Sequence, residues 1–140
     1  LFRSAETAYT CSRSPRASEA AVAMVERHEG EVPRLETDLL ALPGVGAYTA
    51  AAVAAFAFGD RTVVVDTNVR RVLARAVTGV AQAAPSLTAA ESRLAASVVP
   101  EDPATSAVWN VAIMELGALV CQARRPRCES CPLADGCAWV

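Results

Sequence analysis

Apolar positions along the chain recur mostly with helical spacing. Val69, Val72, Leu73, Ala76 and Val77 follow an i, i+3, i+4, i+7, i+8 pattern, which puts Arg70, Arg71 and Arg75 on the opposite face. Ser18 to Glu29 opens on a serine, continues through helix-forming Ala, Met and Glu, and stops at Gly30. Thr37-Asp38 opens a short helix that Pro43 and Gly44 end. Ala47 to Phe58 is nearly all apolar, which predicts a buried helix stopping at Gly59. Thr88 to Val98 predicts a further helix, closed by Pro100. Pro103 to Val120 is the longest, with Trp109, Ile113, Leu116 and Val120 along one stripe, and it delivers Cys121 at its C-terminus. Thr62 to Val65 is a short β-branched run; a lone strand would have no partner, so an extended connector is expected. The pattern predicts an all-α fold ending in a cysteine-rich tail. Trp109 belongs to the core, and His28, the only histidine, is expected as an exposed residue at a helix end.

Composition narrows the classes. A chain of 140 residues is one domain or part of one, and 53% hydrophobic residues suffice for a core. A net charge of −2 means that any nucleic-acid contact is local rather than a whole-surface field. No apolar stretch combines the length and purity of a membrane span; the best, Ala47 to Phe58, runs about 12 residues against the ~20 needed. Nothing near Leu1 resembles a signal peptide, so a cytoplasmic protein with reduced thiols is expected. Starting at Leu1 rather than Met suggests a fragment or a processed product. All basic residues are arginine; there is no lysine.

Three features carry chemistry. The first is the tail, where Cys121, Cys128, Cys131 and Cys137 are spaced C-x6-C-x2-C-x5-C. Zinc sites usually bring ligands in two close pairs across a long loop. Here only Cys128 and Cys131 form a close pair, so one short loop must wrap round the centre. That suits a cubane whose irons each take one thiolate at a separate corner. Zinc and disulfides remain the alternatives, and Cys11 is set apart as a spare thiol. The second feature is Leu42-Pro43-Gly44-Val45-Gly46, between two helices. Its glycines permit a tight turn, and the next helix N-terminus offers free N–H groups, together a nest for phosphate. Such a turn also serves as a plain helix–helix connection. The third is Asp66, which follows an apolar run and precedes a helix. It reads either as an N-cap or as a carboxylate at a cleft edge that stabilises a developing cation or activates water.

Glycine hairpin, Asp66 and cysteine tail, in this order and spacing, resemble the helix-hairpin-helix (HhH-GPD) DNA glycosylases that carry a [4Fe-4S] cluster. The resemblance runs from about Ser18 to Trp139. It implies an unmatched lead-in over 1–17, a helical glycosylase core over 18–120 and a cluster loop over 121–140. Two branches share the layout, an endonuclease III type and an adenine type. The first cuts the backbone through a lysine that forms a Schiff base. Tyr48 stands at that lysine's position here, so a monofunctional enzyme is favoured. Gly44 to Ala50 and Glu115 to Cys121 also look like the adenine version.

The resemblance implies hydrolysis of the N-glycosidic bond of adenine mispaired with guanine or 8-oxoguanine. Asp66 would stabilise the oxocarbenium-like sugar and help water attack it, with Tyr48 and Asn68 lining the pocket. Backbone N–H groups of Gly44, Val45 and Gly46 would hold a DNA phosphate, with the adenine flipped out of the duplex. Arg124 and Arg125, with Arg127, would face the backbone from the loop unless they are simply solvated. The implied partner is double-stranded DNA with a mismatched or damaged pair, bound by a bacterial, nucleoid-associated monomer without a membrane role. The match departs at the acid that protonates the leaving base. The family places a Glu ahead of a Gln-Gln-Thr stretch, and this chain has only Gln82 and Gln122; Glu6 lies in the unmatched region. Val111 holds the position of a base-contacting Gln or Glu. The family's C-terminal domain for reading oxidised guanine has no counterpart in the sequence given. A non-enzymatic DNA-binding fragment and a glycosylase/lyase are therefore carried as alternatives.

Overall fold

The computed structural model describes residues 15–140, and the expectations for Glu6 and Cys11 lie outside them. The described residues are helical and contain no strand. They fall into two compact units, up to Gly46 and from Ala47 to Val140.

The first unit holds α1 (Pro15–His28) and α2 (Glu36–Leu40). Helix α1 already includes residues 15–17, ahead of the expected Ser18. It ends where Glu29 and Gly30 take positive φ of 55° and 84°. His28 sits in the last turn but is half-buried rather than exposed. Ala20, Ala23, Leu39 and Leu42 are buried.

The second unit holds α3 (Ala47–Phe58), α4 (Thr67–Thr78), α5 (Ala89–Val98) and α6 (Pro103–Glu115). Its core gathers Val69, Val72 and Leu73 of α4 with Ala95 of α5 and Ile113 of α6, and Trp109 packs on them partly buried. Two expectations fail at α3 and α4. Helix α3 buries only Ala50, Ala54 and Ala55, one small-residue side that suits close packing on α6, while Phe56 remains 45% exposed. Val77 is exposed, and Arg75, assigned to the outer face, is buried.

The run over Thr62 to Val65 is extended and unpaired by any strand. Its backbone is satisfied by a side chain instead. Asn110, fully buried on α6, donates through Nδ2 to the Thr62 carbonyl at 3.0 Å and accepts from the Val64 N–H at 3.4 Å. The Thr62 hydroxyl donates to the Ala51 carbonyl at 2.8 Å. Asn110→Ala is expected to destabilise the unit by roughly 1–3 kcal/mol, since it orphans two buried backbone groups. Denaturant unfolding of chain and variant checks this.

The loop between α4 and α5 is tied by Arg70, whose guanidinium donates to Glu91 at 2.9 Å and to the Ala84 and Ser86 carbonyls. Glu91 also closes a capping box with Thr88. Burial pushes the Glu91 carboxyl up, but donors from the Thr88 backbone, Arg70 and the Thr88 hydroxyl, together with the Arg70 charge, outweigh it and hold the pKa below its ordinary value.

Helix α6 continues as a π-helical turn over Leu116–Val120. Together they form an 18-residue run of mean hydropathy 1.2, long and apolar enough to cross a membrane by length and composition, contrary to expectation. It nevertheless carries core positions: Ser106, Asn110, Ile113 and Gly117 are buried. Buried Ser, Asn and Gly sit on this inner stripe, where the sequence pattern pointed to Trp109, Leu116 and Val120.

Candidate active site and iron–sulfur centre

Asp66 ends the extended connector and caps α4. Its Oδ1 accepts from the Val69 N–H at 2.7 Å, which satisfies one of the helix's free donors. Its Oδ2 accepts from Asn68 Nδ2 at 2.9 Å. The carboxylate is therefore a cap and is also aimed by a second side chain, so the two readings of Asp66 are compatible. A carboxylate oxygen has two lone pairs, which leaves acceptor capacity on both.

Asn68 is itself held. Its Oδ1 accepts from Arg71 Nη2 at 2.7 Å. The same guanidinium donates to the Gly117 carbonyl at 2.6 Å and, through Nε, to the Cys121 carbonyl at 2.7 Å. A continuous polar chain thus runs from Asp66 through Asn68 and Arg71 to the first cysteine of the tail. Sequence reasoning missed Arg71 and Gly117. The available signal was position: Arg71 is one turn on from Thr67-Asn68, on the side of α4 that meets the C-terminal end of α6.

The π turn makes this junction possible. Cys121 N–H donates to the Leu116 carbonyl at 2.7 Å, and π turns often mark functional sites. Gly117 is required there by close approach. A Cβ on it would lie 2.6 Å from Asn68 Cβ and 2.9 Å from the Asn68 carbonyl oxygen. Gly117→Ala is expected to destabilise the chain by about 1–3 kcal/mol through overpacking and to displace Asn68 from Asp66. A shifted unfolding midpoint, with a changed Asn68 side-chain amide resonance, would register both effects.

Tyr48 stands 44% exposed in the first turn of α3, and the contacts among the described residues that join Asp66 to Asn68 do not extend to it. The glycine turn belongs to the first unit. Val45 N–H donates to the Leu42 carbonyl at 3.1 Å, and Gly44 has φ of 78°. Only Gly44 needs the left-handed region. A Cβ there would also lie 2.8 Å from Arg16 Cβ. Val111 is 43% exposed, and Arg124, Arg125 and Arg127 are exposed on the cysteine loop.

Cys121, Cys128, Cys131 and Cys137 are free thiols that line one small cavity with Arg75 and Trp139. Single turns of 3-10 helix at Cys128–Ser130 and Ala134–Gly136 fold the loop round it. Four thiols round one cavity suit a cubane with one thiolate per corner.

Known proteins agree with this reading of the elements. Residues 27–56 match the helix-hairpin-helix motif, and residues 121–137 match the iron–sulfur binding domain of endonuclease III. A solved thermostable thymine-DNA glycosylase superposes with a TM-score of 0.76 at 33% identity, covering 91% of this chain and 58% of that one. A trapped endonuclease III–DNA covalent intermediate superposes at 0.72 with 27% identity, covering 89% and 56%. Both matched elements are those of helix-hairpin-helix DNA glycosylases with an iron–sulfur domain, and that domain, which takes a [4Fe-4S] cluster, spans the four tail cysteines. The curated relatives that the chain matches include adenine DNA glycosylases. The chain is 48% identical over 127 residues to the adenine DNA glycosylase of Mycolicibacterium smegmatis, covering 91% of this chain and 42% of that protein. The chain thus spans about two fifths of that relative's length.

Proposed function

We propose that this chain is the Asp66- and cluster-bearing part of a base-excision glycosylase. It would hydrolyse the N-glycosidic bond of adenine mispaired with guanine or 8-oxoguanine in duplex DNA. The observation that carries this is the Asp66 carboxylate, fixed at the α4 N-terminus by Val69 and Asn68 and linked through Arg71 to the cysteine loop.

As the glycosidic bond breaks, positive charge develops on the sugar. A fixed carboxylate needs no reorganisation to stabilise it. The same oxygens can take a proton from attacking water. Asn68 orients the carboxylate, and Tyr48 offers an exposed ring and hydroxyl near the start of α3 for the extruded base. The glycine turn would offer the backbone N–H groups of Gly44 and Gly46 to a phosphate without needing a cation, whereas the Val45 N–H, expected to join them, is taken by the Leu42 carbonyl. Arg124 and Arg125, exposed on the loop, suit the phosphate backbone. The [4Fe-4S] cluster, when bound, supplies structure to that loop. No lysine exists in the sequence to form a Schiff base, which favours hydrolysis alone over backbone cutting. The enzyme would act as a monomer in the cytoplasm, beside the nucleoid.

The 140 residues include no glutamate ahead of a Gln-Gln-Thr stretch to protonate the leaving base. Lacking a general acid costs about 10²–10⁴ in rate. The test is single-turnover adenine release from a duplex with adenine opposite 8-oxoguanine, with borohydride trapping in parallel. Slow or undetectable release by this chain, efficient release by the M. smegmatis relative and no trapped adduct are expected. An adduct trapped on this chain would favour the lyase reading. Tight duplex binding with no gain in release when the chain is built into the relative would favour a binding module.

A further inference from the structure

We propose that Arg75 is a positioning residue of the iron–sulfur site, which clamps both ends of the cysteine loop and moderates the charge that the Cys121 thiolate presents to the cluster. The proposal rests on the [4Fe-4S] reading above. A purified chain that carries only zinc defeats that reading before Arg75 is tested.

Arg75 is 3% exposed, although it lies on a helix face that the apolar pattern assigns to solvent. Its Nε donates to the Ala81 carbonyl at 2.9 Å. Nη1 donates to the Gln122 carbonyl at 2.8 Å and to Cys121 Sγ at 3.5 Å, and Nη2 to the Ala123 carbonyl at 3.1 Å. The guanidinium carbon stands 4.5 Å from the centre of the Trp139 ring. One planar fork thereby holds the start of the loop at Cys121 to Ala123 and its end at Trp139. A backbone bond from Ala138 N–H to the Ala76 carbonyl, 3.0 Å, fastens the same end to the next residue of α4.

The charge balance points the same way. A buried cation is normally matched by an anion. The acceptors of Arg75 are carbonyls, a ring face and a sulfur, not a carboxylate. The counter-charge that the site offers is the set of four cysteine thiolates lining the same cavity. Hydrogen bonds to cluster sulfurs and nearby charge set how readily a cluster accepts an electron. A cation bonded to one ligand sulfur favours the more negative, reduced state.

Three variants of the loaded chain test this. Arg75→Gln removes the charge. The ratio of reduced to oxidised cluster at a fixed potential should fall about tenfold, a midpoint 59 mV more negative for one electron. Arg75→Lys keeps charge but not the fork. Its midpoint should stay near that of the unaltered chain, while iron is lost to a chelator about 10-fold faster. A loaded Arg75→Gln with unaltered midpoint and iron retention overturns the proposal. An Arg75→Gln chain of unchanged helicity that takes up no iron, beside an Arg75→Lys chain that does, supports it. Should Arg75→Gln not fold, Trp139→Leu decides: faster iron loss upholds the clamp, and unaltered retention overturns it.

Discussion

When this chain replaces the matching segment of the M. smegmatis adenine DNA glycosylase, Asp66→Asn is expected to lower single-turnover adenine release by about 10²–10⁴. Asn can still accept the Val69 N–H bond through its amide oxygen, so α4 stays capped. What it lacks is the negative charge that faces the developing cation. The variant would lose the bond from Asn68 Nδ2, so stability should fall by about 0.5–1.5 kcal/mol, far too little to explain the collapse in rate. This pairing separates the two readings of Asp66. If Asp66 were only a cap, Asn would substitute for it with nearly unaltered release.

The second large effect falls on the tail. Cys128→Ser removes one corner ligand, and iron content per chain should drop at least ~10-fold. Limited proteolysis should then cut within 121–140, since this loop has only single 3-10 turns and little apolar packing of its own. The α4–α6 core should keep its helicity, because Val69, Val72, Leu73, Ala95 and Ile113 form it without the loop's help. Iron and sulfide analysis with a visible spectrum reads the first effect. Stoichiometric zinc and no sulfide in the unaltered chain would contradict the cluster assignment.

What the sequence made legible follows from the type of signal. Helices α4 and α5 were readable because each has a strong cap, Asp66 or Thr88, and α4 adds a clear apolar stripe. The cysteine spacing and the glycine turn were readable because few residue types can fill those roles. Burial was read poorly wherever a polar or small residue served the core. Asn110 replaces a missing strand partner for the connector, and no periodicity announces that. Gly117 matters through close approach to Asn68, a contact 49 residues distant in the chain. Arg71 and Arg75 looked like a solvated face because hydropathy counts charge and not acceptors. The carbonyls that bury them belong to residues 117–123, which only the tertiary fold brings to α4. The Asp66 role needed geometry as well: the sequence showed a cap or a carboxylate at a cleft, and the side-chain bonds make it both.

The central claim is that these residues carry the chemistry of adenine removal, and the chimera tests it most directly. The chain, exchanged into the M. smegmatis relative, is assayed by single turnover on duplexes holding adenine opposite 8-oxoguanine, and thymine or uracil opposite guanine. The account predicts adenine release near the rate of the unaltered relative, no thymine or uracil release and an uncut backbone. A chimera that loads iron and sulfide and binds the duplex, yet releases no adenine or releases thymine or uracil instead, would contradict it.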